Sequence, residues 1–425
     1  MERTRWAGQT TMKRRKTMVP VGLICIPLLL VSAIGMTLPG CKGSSRKATS
    51  RGESEVSITE YWKSLFEKDP EARQEFERVQ SEFRAGNPST AIMDLQELLK
   101  RSPQAPWLEA GEFYLAQAWT VLRRYGEAIR QLDSLLVRYP KSPAVPRFLM
   151  SKGEIYLTLG KQNKEANAED PASKEYLQKA KEIFQQISKD YPKNRDVDAE
   201  AFFYLGETLS SLEDLTRAKE AYRRVVDTYG DTAYGSKALY SLAGLCLSDM
   251  DIKGAEGALQ EIADRYPEAS LADKAGQKLE GLQLVGSPAP PLQIREWIGD
   301  PPPEGGLYRS KVTLLSFWAI WCPHCRRNIP RMERLLETYG KQGVSIVGVT
   351  RERNGKGVGE IREFIDSHPM GFSTGVDNDG KTSKEMAVQS IPCVVAVDSH
   401  GRIRWHGHPD YLSDKVIETL LQTSS

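Results

Sequence analysis

Cys322 and Cys325 stand two residues apart in the stretch Trp321-Cys322-Pro323-His324-Cys325. Two thiols at this spacing can close a disulfide and reopen it, or can supply half of a tetrahedral zinc site. The flanking elements separate the two chemistries. Leu314-Leu315-Ser316-Phe317-Trp318 is an apolar run of strand length, and Arg326 to Tyr339 carries Ile329, Met332, Leu335 and Leu336 at helical spacing. A strand, a tight turn and a helix place Cys322 at a helix N-terminus, where unpaired backbone N–H groups and the helix dipole stabilise a thiolate. Cys322 is therefore the attacking sulfur, and Cys325, one turn further in, the resolving thiol. Pro323 suits the first helical position, where its missing N–H costs nothing. His324, if protonated, adds a cation beside the sulfur.

Composition bounds the rest. The 425 residues imply two or three domains, and 40% hydrophobic with 27% charged residues is an ordinary globular balance. A formal net charge of +2 provides no global basic field, so nucleic acid is not an expected partner. The six cysteines are scattered and form no disulfide framework.

The chain opens with Arg3, Arg5, Lys13, Arg14, Arg15 and Lys16, followed by an uncharged run from Thr17 to Cys41. This is the pattern of an export signal over residues 1–41. Its end, Leu38-Pro39-Gly40-Cys41, resembles a bacterial lipobox, which implies cleavage before Cys41 and lipidation of its thiol. An uncleaved run of this length would instead serve as a membrane anchor. Both readings put the remainder on the periplasmic side of the cell envelope, tied to the membrane by lipid or anchor. Residues 42–56 are polar and read as a flexible tether.

From 57 to 285 the pattern is helical and repetitive. Ala91, Ala128, Ala180, Ala218 and Ala255 recur at gaps of 37, 52, 38 and 37 residues. Eleven residues after each comes a helix stop at Ser102, Tyr139, Tyr191, Tyr229 and Tyr266, followed by proline in four cases and Gly230 in the fifth. The extra residues of the long gap are assigned to Lys161–Ser173. Helix pairs of this period make an α-solenoid. Leu115-Ala116, Leu205-Gly206 and Leu242-Ala243 precede their alanines by thirteen and twelve residues. With Arg138-Tyr139-Pro140 and Arg265-Tyr266-Pro267, the segment resembles tetratricopeptide repeats of the bacterial envelope-lipoprotein kind. About five helix pairs are implied, closed by a capping helix over Ala269–Leu284. Such a solenoid offers a surface for a protein partner, or acts as a spacer whose apolar residues build only its own core.

Gly286-Ser287-Pro288-Ala289-Pro290-Pro291 and Pro301 to Gly306 break the helical pattern and open a second domain, 286–425. Strands are expected at Val312–Ala319, Val344–Thr350, Phe372–Val376, Cys393–Asp398 and Ile403–Trp405, with a turn at His400-Gly401 and a loop over Trp405–Pro409. Helices are expected at Cys322–Tyr339, around Ile361–Ser367, at Lys381–Val388 and at Leu412–Leu421. The order resembles the thioredoxin fold, and the quoted Gly286–Pro290 opening, Phe317-Trp318-Ala319, Pro330, Val347-Gly348-Val349 and Ile391-Pro392 resemble the TlpA-like thiol-disulfide oxidoreductases. The fold class is therefore multidomain: an all-α tetratricopeptide solenoid followed by an α/β thioredoxin-like domain.

The resemblance implies a cis-proline at Pro392, leaving the backbone of Ile391 free to pair with a bound substrate chain. Cys-Pro-His-Cys also matches the motif of DsbA, whose cysteine is strongly acidic and strongly oxidising. Ser316 stands where thioredoxins have a buried carboxylate, and Asn328 where many relatives have Glu. The proton acceptor for Cys325 is thus unassigned. Cys393, directly after Pro392, is either a third redox thiol or a small buried residue opening a strand; Cys246 reads as core. His406 and His408 alternate along a strand end and point to opposite faces, so no metal and no cofactor is assigned.

The leading functional reading is a membrane-anchored thiol-disulfide oxidoreductase acting on protein clients with thiols or disulfides, fed or drained by a membrane redox partner. Alternatives are a repeat scaffold carrying a structural thioredoxin-like domain, and a peroxiredoxin-like peroxidase. The latter shares the Pro-Ala-Pro opening but lacks the threonine that chemistry requires three residues before the cysteine, where Ala319 stands.

Overall fold

In the computed structural model, residues 58–166, 170–192, 194–299, 301, 307–352 and 357–423 are described. The export signal, Cys41, the tether and most of Pro301–Gly306 lie outside the described residues. No helix among the described residues is long and apolar enough to cross a membrane.

Among the described residues twelve helices come first: α1 (Ile58–Phe66), α2 (Pro70–Arg84), α3 (Pro88–Arg101), α4 (Leu108–Val121), α5 (Tyr125–Arg138), α6 (Val145–Ala166), α7 (Pro171–Asp190), α8 (Arg195–Ser211), α9 (Leu215–Tyr229), α10 (Gly235–Ser248), α11 (Ile252–Arg265) and α12 (Ala272–Gln283). They stack as pairs from α2/α3 to α10/α11, with α12 at the end. All five periodic alanines lie on the second helix of a pair and are fully buried. Their missing bulk lets the paired helix approach. Gly206 does the same on α8, because any β-carbon there would collide with the Tyr222 ring. Asp69, Asp170, Asn194, Asp214 and Asp251 cap helices, each side chain accepting a backbone N–H two or three residues on. The long gap goes into the helices themselves: α6 and α7 have 22 and 20 residues, against 14 in α4 and α5.

One repeated turn was not visible as a motif. Five residues before four of the alanines, Gly86, Arg123, Glu213 and Met250 all have left-handed backbone, with φ of 85°, 58°, 65° and 61°. Only the first carries the residue that favours it.

The second domain contains β1 (Ile294–Ile298), β2 (Val312–Trp318), α13 (Pro323–Tyr339), β3 (Val344–Thr350), α14 (Val358–Ser367), β4 (Thr374–Asp377), α15 (Lys381–Glu385), β5 (Cys393–Asp398), β6 (Ile403–Gly407) and α16 (Asp414–Thr423). The strands form one mixed sheet in the order β1-β4-β3-β2-β5-β6. β2 is central, parallel to β3 and antiparallel to β5, and buried along its whole length. Burial on both faces explains why its sequence is apolar apart from Thr313 and Ser316.

Three differences from the sequence reading stand out. β1 is an additional edge strand, antiparallel to β4, whose Ile-Arg-Glu-Trp-Ile pattern is too polar to register as a buried strand. α15 stops at Glu385, and Ala387 takes a left-handed φ of 51°. β6 runs on to Gly407, because Val394 and Val395 pair with Gly407 and His406 where a loop was expected.

The two domains share a core. Trp405, Leu412, Val416 and Ile417 belong to the same buried apolar cluster as Leu245, Leu247 and Leu282 of the solenoid. The Trp405 indole donates to the Leu247 carbonyl at 3.2 Å, and the Ser413 hydroxyl to the Ser248 carbonyl at 2.8 Å. Lys415 pairs with Asp249 at 2.9 Å. Glycines admit the closest contacts: a β-carbon at Gly244 would collide with the Tyr411 ring, and one at Gly281 with His406. Domains joined by a polar interface move independently by default; an apolar interface of this kind holds them in one arrangement.

Candidate active site

Cys322 is the N-cap of α13, in extended conformation with φ −96° and ψ 106°. Its sulfur accepts the backbone N–H of Cys325 at 3.1 Å, and the two cysteines form a disulfide with Cα atoms 5.3 Å apart. Pro323 occupies the first helical turn as expected. The two cysteines differ in access: Cys322 is 7% exposed and Cys325 1%. An incoming thiolate therefore meets Cys322 first. Trp318, Ala319, Ile320, Trp321 and Ile391 form the apolar shell of the pair. The Ile391-Pro392 peptide bond is cis, and it joins that shell to the head of β5.

The electrostatics of the motif centre on a residue the sequence reading passed over. Arg327, one turn beyond His324, donates to His324 Nδ1 at 2.6 Å. A guanidinium only donates, so that ring nitrogen is an acceptor here. The fixed cation of the motif is therefore Arg327, and His324 is its hydrogen-bonded neighbour. Asn328 donates from its side chain to the His324 carbonyl at 3.2 Å and supplies no carboxylate. Arg351 lies over the Trp321 ring, 6.0 Å from its centroid. Ser316 is buried on β2.

Cys393 is buried at the start of β5, with Sγ about 3.9 Å from His406 Nδ1. Burial pushes its thiol up to about 12, so it is held protonated. Those two facts favour the reading as a small buried residue over that as a redox thiol. Cys246 is buried in α10, and burial raises its thiol as well. His406 contacts the Met386 carbonyl at 3.0 Å, and burial lowers its imidazole to about 4. His408 accepts the backbone N–H of Asp410 at 3.2 Å, and its pKa is lowered, chiefly by burial, against the pull of Asp410. Among the described residues no group of three or more His, Cys, Asp and Glu is placed to hold a metal ion.

A cavity of about 260 Å³ adjoins the cis-proline loop. Ile391, Pro392, Cys393 and His408 line one side, while Tyr240 and Lys278 of the solenoid line the other. A shallower groove of about 610 Å³ runs along Pro323, Arg326, Arg327, Phe364 and His368.

Comparison with known proteins agrees with this geometry. Residues 285–406 match the AhpC/TSA family. A thiol-disulfide oxidoreductase ResA of Geobacillus thermodenitrificans is 30% identical over 126 residues, 28% of this chain and 67% of that protein. The chain belongs to the ResA- and TlpA-like thiol-disulfide oxidoreductases. A ResA of Halalkalibacterium halodurans is 24% identical over 157 residues, 37% of this chain and 80% of that protein. The thioredoxin-like protein YneN of Bacillus subtilis is 29% identical over 141 residues, 33% of this chain and 79% of that protein. Residues 68–213 match an outer membrane lipoprotein family, YfiO, and 200–232 a tetratricopeptide repeat. The chain thus joins a repeat region to a thioredoxin-like domain, and its activity is that of an oxidoreductase.

Proposed function

We propose that this protein is an envelope-anchored thiol-disulfide oxidoreductase that exchanges the Cys322–Cys325 disulfide with protein clients brought to it by the repeat domain. The observation that carries the reading is the disulfide at the N-terminus of α13, with Cys322 the more exposed cysteine and the cis Ile391-Pro392 bond beside it. In the oxidising direction a client thiolate attacks Cys322 Sγ, the Cys322–Cys325 bond breaks and Cys325 leaves as thiolate. A second client thiolate then displaces Cys322, leaving the dithiol here and a disulfide in the client. The reducing direction is the reverse. Exchange with a membrane redox partner resets the pair.

The periplasmic-side location rests on the sequence of residues 1–41 and on the likeness of 68–213 to an outer membrane lipoprotein family. The domain division proposed is 57–285 and 286–425. Ala319, buried and without a hydroxyl, argues against peroxidatic chemistry at Cys322.

The test is disulfide exchange by the full chain with a cysteine-containing peptide. Cys322→Ser is expected to abolish exchange, and reduced Cys325→Ser, offered the peptide in its disulfide form, to accumulate a mixed disulfide at Cys322 as the other peptide thiolate leaves. Equal turnover by parent and Cys322→Ser would refute the proposal.

A further inference from the structure

The cavity beside Ile391-Pro392 has a wall that belongs to the other domain. Lys278, on α12, lines it together with Tyr240 of α10. The ammonium lies 4.2 Å from the centroid of Tyr240 and 5.4 Å from that of Tyr411. No carboxylate lies within ion-pair distance of it among the described residues. The carboxylate on the cavity rim, Asp410, is 63% exposed. A cation buried without a carboxylate partner is costly even where aromatic faces offset part of that cost, and burial lowers the Lys278 ammonium to about 8. Ile391 belongs both to this cavity wall and to the apolar shell of the cysteine pair, so the cavity adjoins the redox motif through the cis-proline loop. Arg326 and Arg327 add positive charge on the helix that carries the cysteines.

We propose that α12 of the repeat domain forms one wall of the client cleft, and that Lys278 there binds a carboxylate of a polypeptide lying along Ile391-Pro392. The preferred client then carries an acidic residue close to its reacting cysteine. The solenoid acts on substrate choice at the site itself, besides any recruitment at a distance. Lys278 is a specificity-determining residue: it touches the client and takes no part in sulfur exchange.

The inference rests on the exchange activity proposed above, and one experiment separates the two. The full chain is assayed for exchange with three cysteine peptides that differ only in carrying Glu, Gln or Lys beside the cysteine. The expected result is a kcat/KM for the Glu peptide about tenfold above that for the Gln peptide, the size of one charge-assisted hydrogen bond. In Lys278→Gln that ratio falls to about one, and Lys278→Arg restores most of it. A role confined to packing between the domains would lower both rates together and leave the ratio unmoved, which overturns the inference. Equal rates for all three peptides with the parent also overturn it while leaving the exchange activity standing. Exchange with none of them overturns both.

Discussion

At the scale of single residues, the redox motif is a small charge device. Arg327 holds the His324 ring and keeps a permanent cation on the helix that Cys322 caps. Replacing Arg327 by Gln removes that cation and is expected to raise the Cys322 thiol pKa by less than about one unit, since the group is exposed and screened. The couple should become more reducing. Thiolate ultraviolet absorbance across a pH titration of the reduced protein measures the first effect; an unchanged curve would return the tuning to His324. A second residue-scale expectation concerns His406, whose folded pKa of about 4 lies below the unfolded value of about 6.5. The unfolded chain binds the proton more readily in between. The stability held above about pH 6.5 is therefore lost as pH falls to about 4, by on the order of 2–3 kcal/mol. Urea unfolding of the parent against His406→Gln over that window should show a steeper acid loss in the parent. Much of this site was legible in the sequence, because Cys322, Pro323 and Cys325 sit together in one stretch and their chemistry is local, while Ile391-Pro392, far downstream, was carried by the family resemblance. Arg327 was within reach as an i+3 neighbour of His324 on a helix. Lys278 was not, since nothing in a capping-helix pattern says which distant loop its side chain will meet.

Elements tell a similar story. The solenoid announces itself through buried alanines at a fixed period, a signal that survives because close helix approach tolerates no larger residue. Its turns are silent where they are most constrained: Arg123, Glu213 and Met250 hold the left-handed conformation that Gly86 holds in the first pair. Each non-glycine residue there costs about 1 kcal/mol, partly offset by the freedom glycine has when unfolded. Arg123→Gly, Glu213→Gly and Met250→Gly together should raise the thermal unfolding midpoint of the full chain. A lowered midpoint would mean that side-chain contacts at these turns outweigh the backbone strain. The edge strand β1 escaped notice for the opposite reason. Its identity comes from the free edge of β4 rather than from its own half-buried sequence.

For the whole molecule, the shared core is what no reading of separate segments supplied. The two domains were visible as two changes of periodicity. Their fusion depends on glycines at 244 and 281 that have no local turn to explain them. Gly244→Val should force Tyr411 away from α10 and destabilise the chain by about 1–3 kcal/mol, the usual cost of overpacking. Limited proteolysis would then release the 286–425 segment sooner than from the parent; identical digestion would show that the contact is dispensable. The placement of Trp405 has one more consequence. It stands 20 residues before the last residue of this sequence, far downstream of both cysteines. During synthesis the solenoid and the Cys-Pro-His-Cys motif exist before the indole that locks them together. A product cut short ahead of β6 would carry a complete solenoid and both thiols, yet lack the Trp405, Leu412, Val416 and Ile417 side chains that join the two cores.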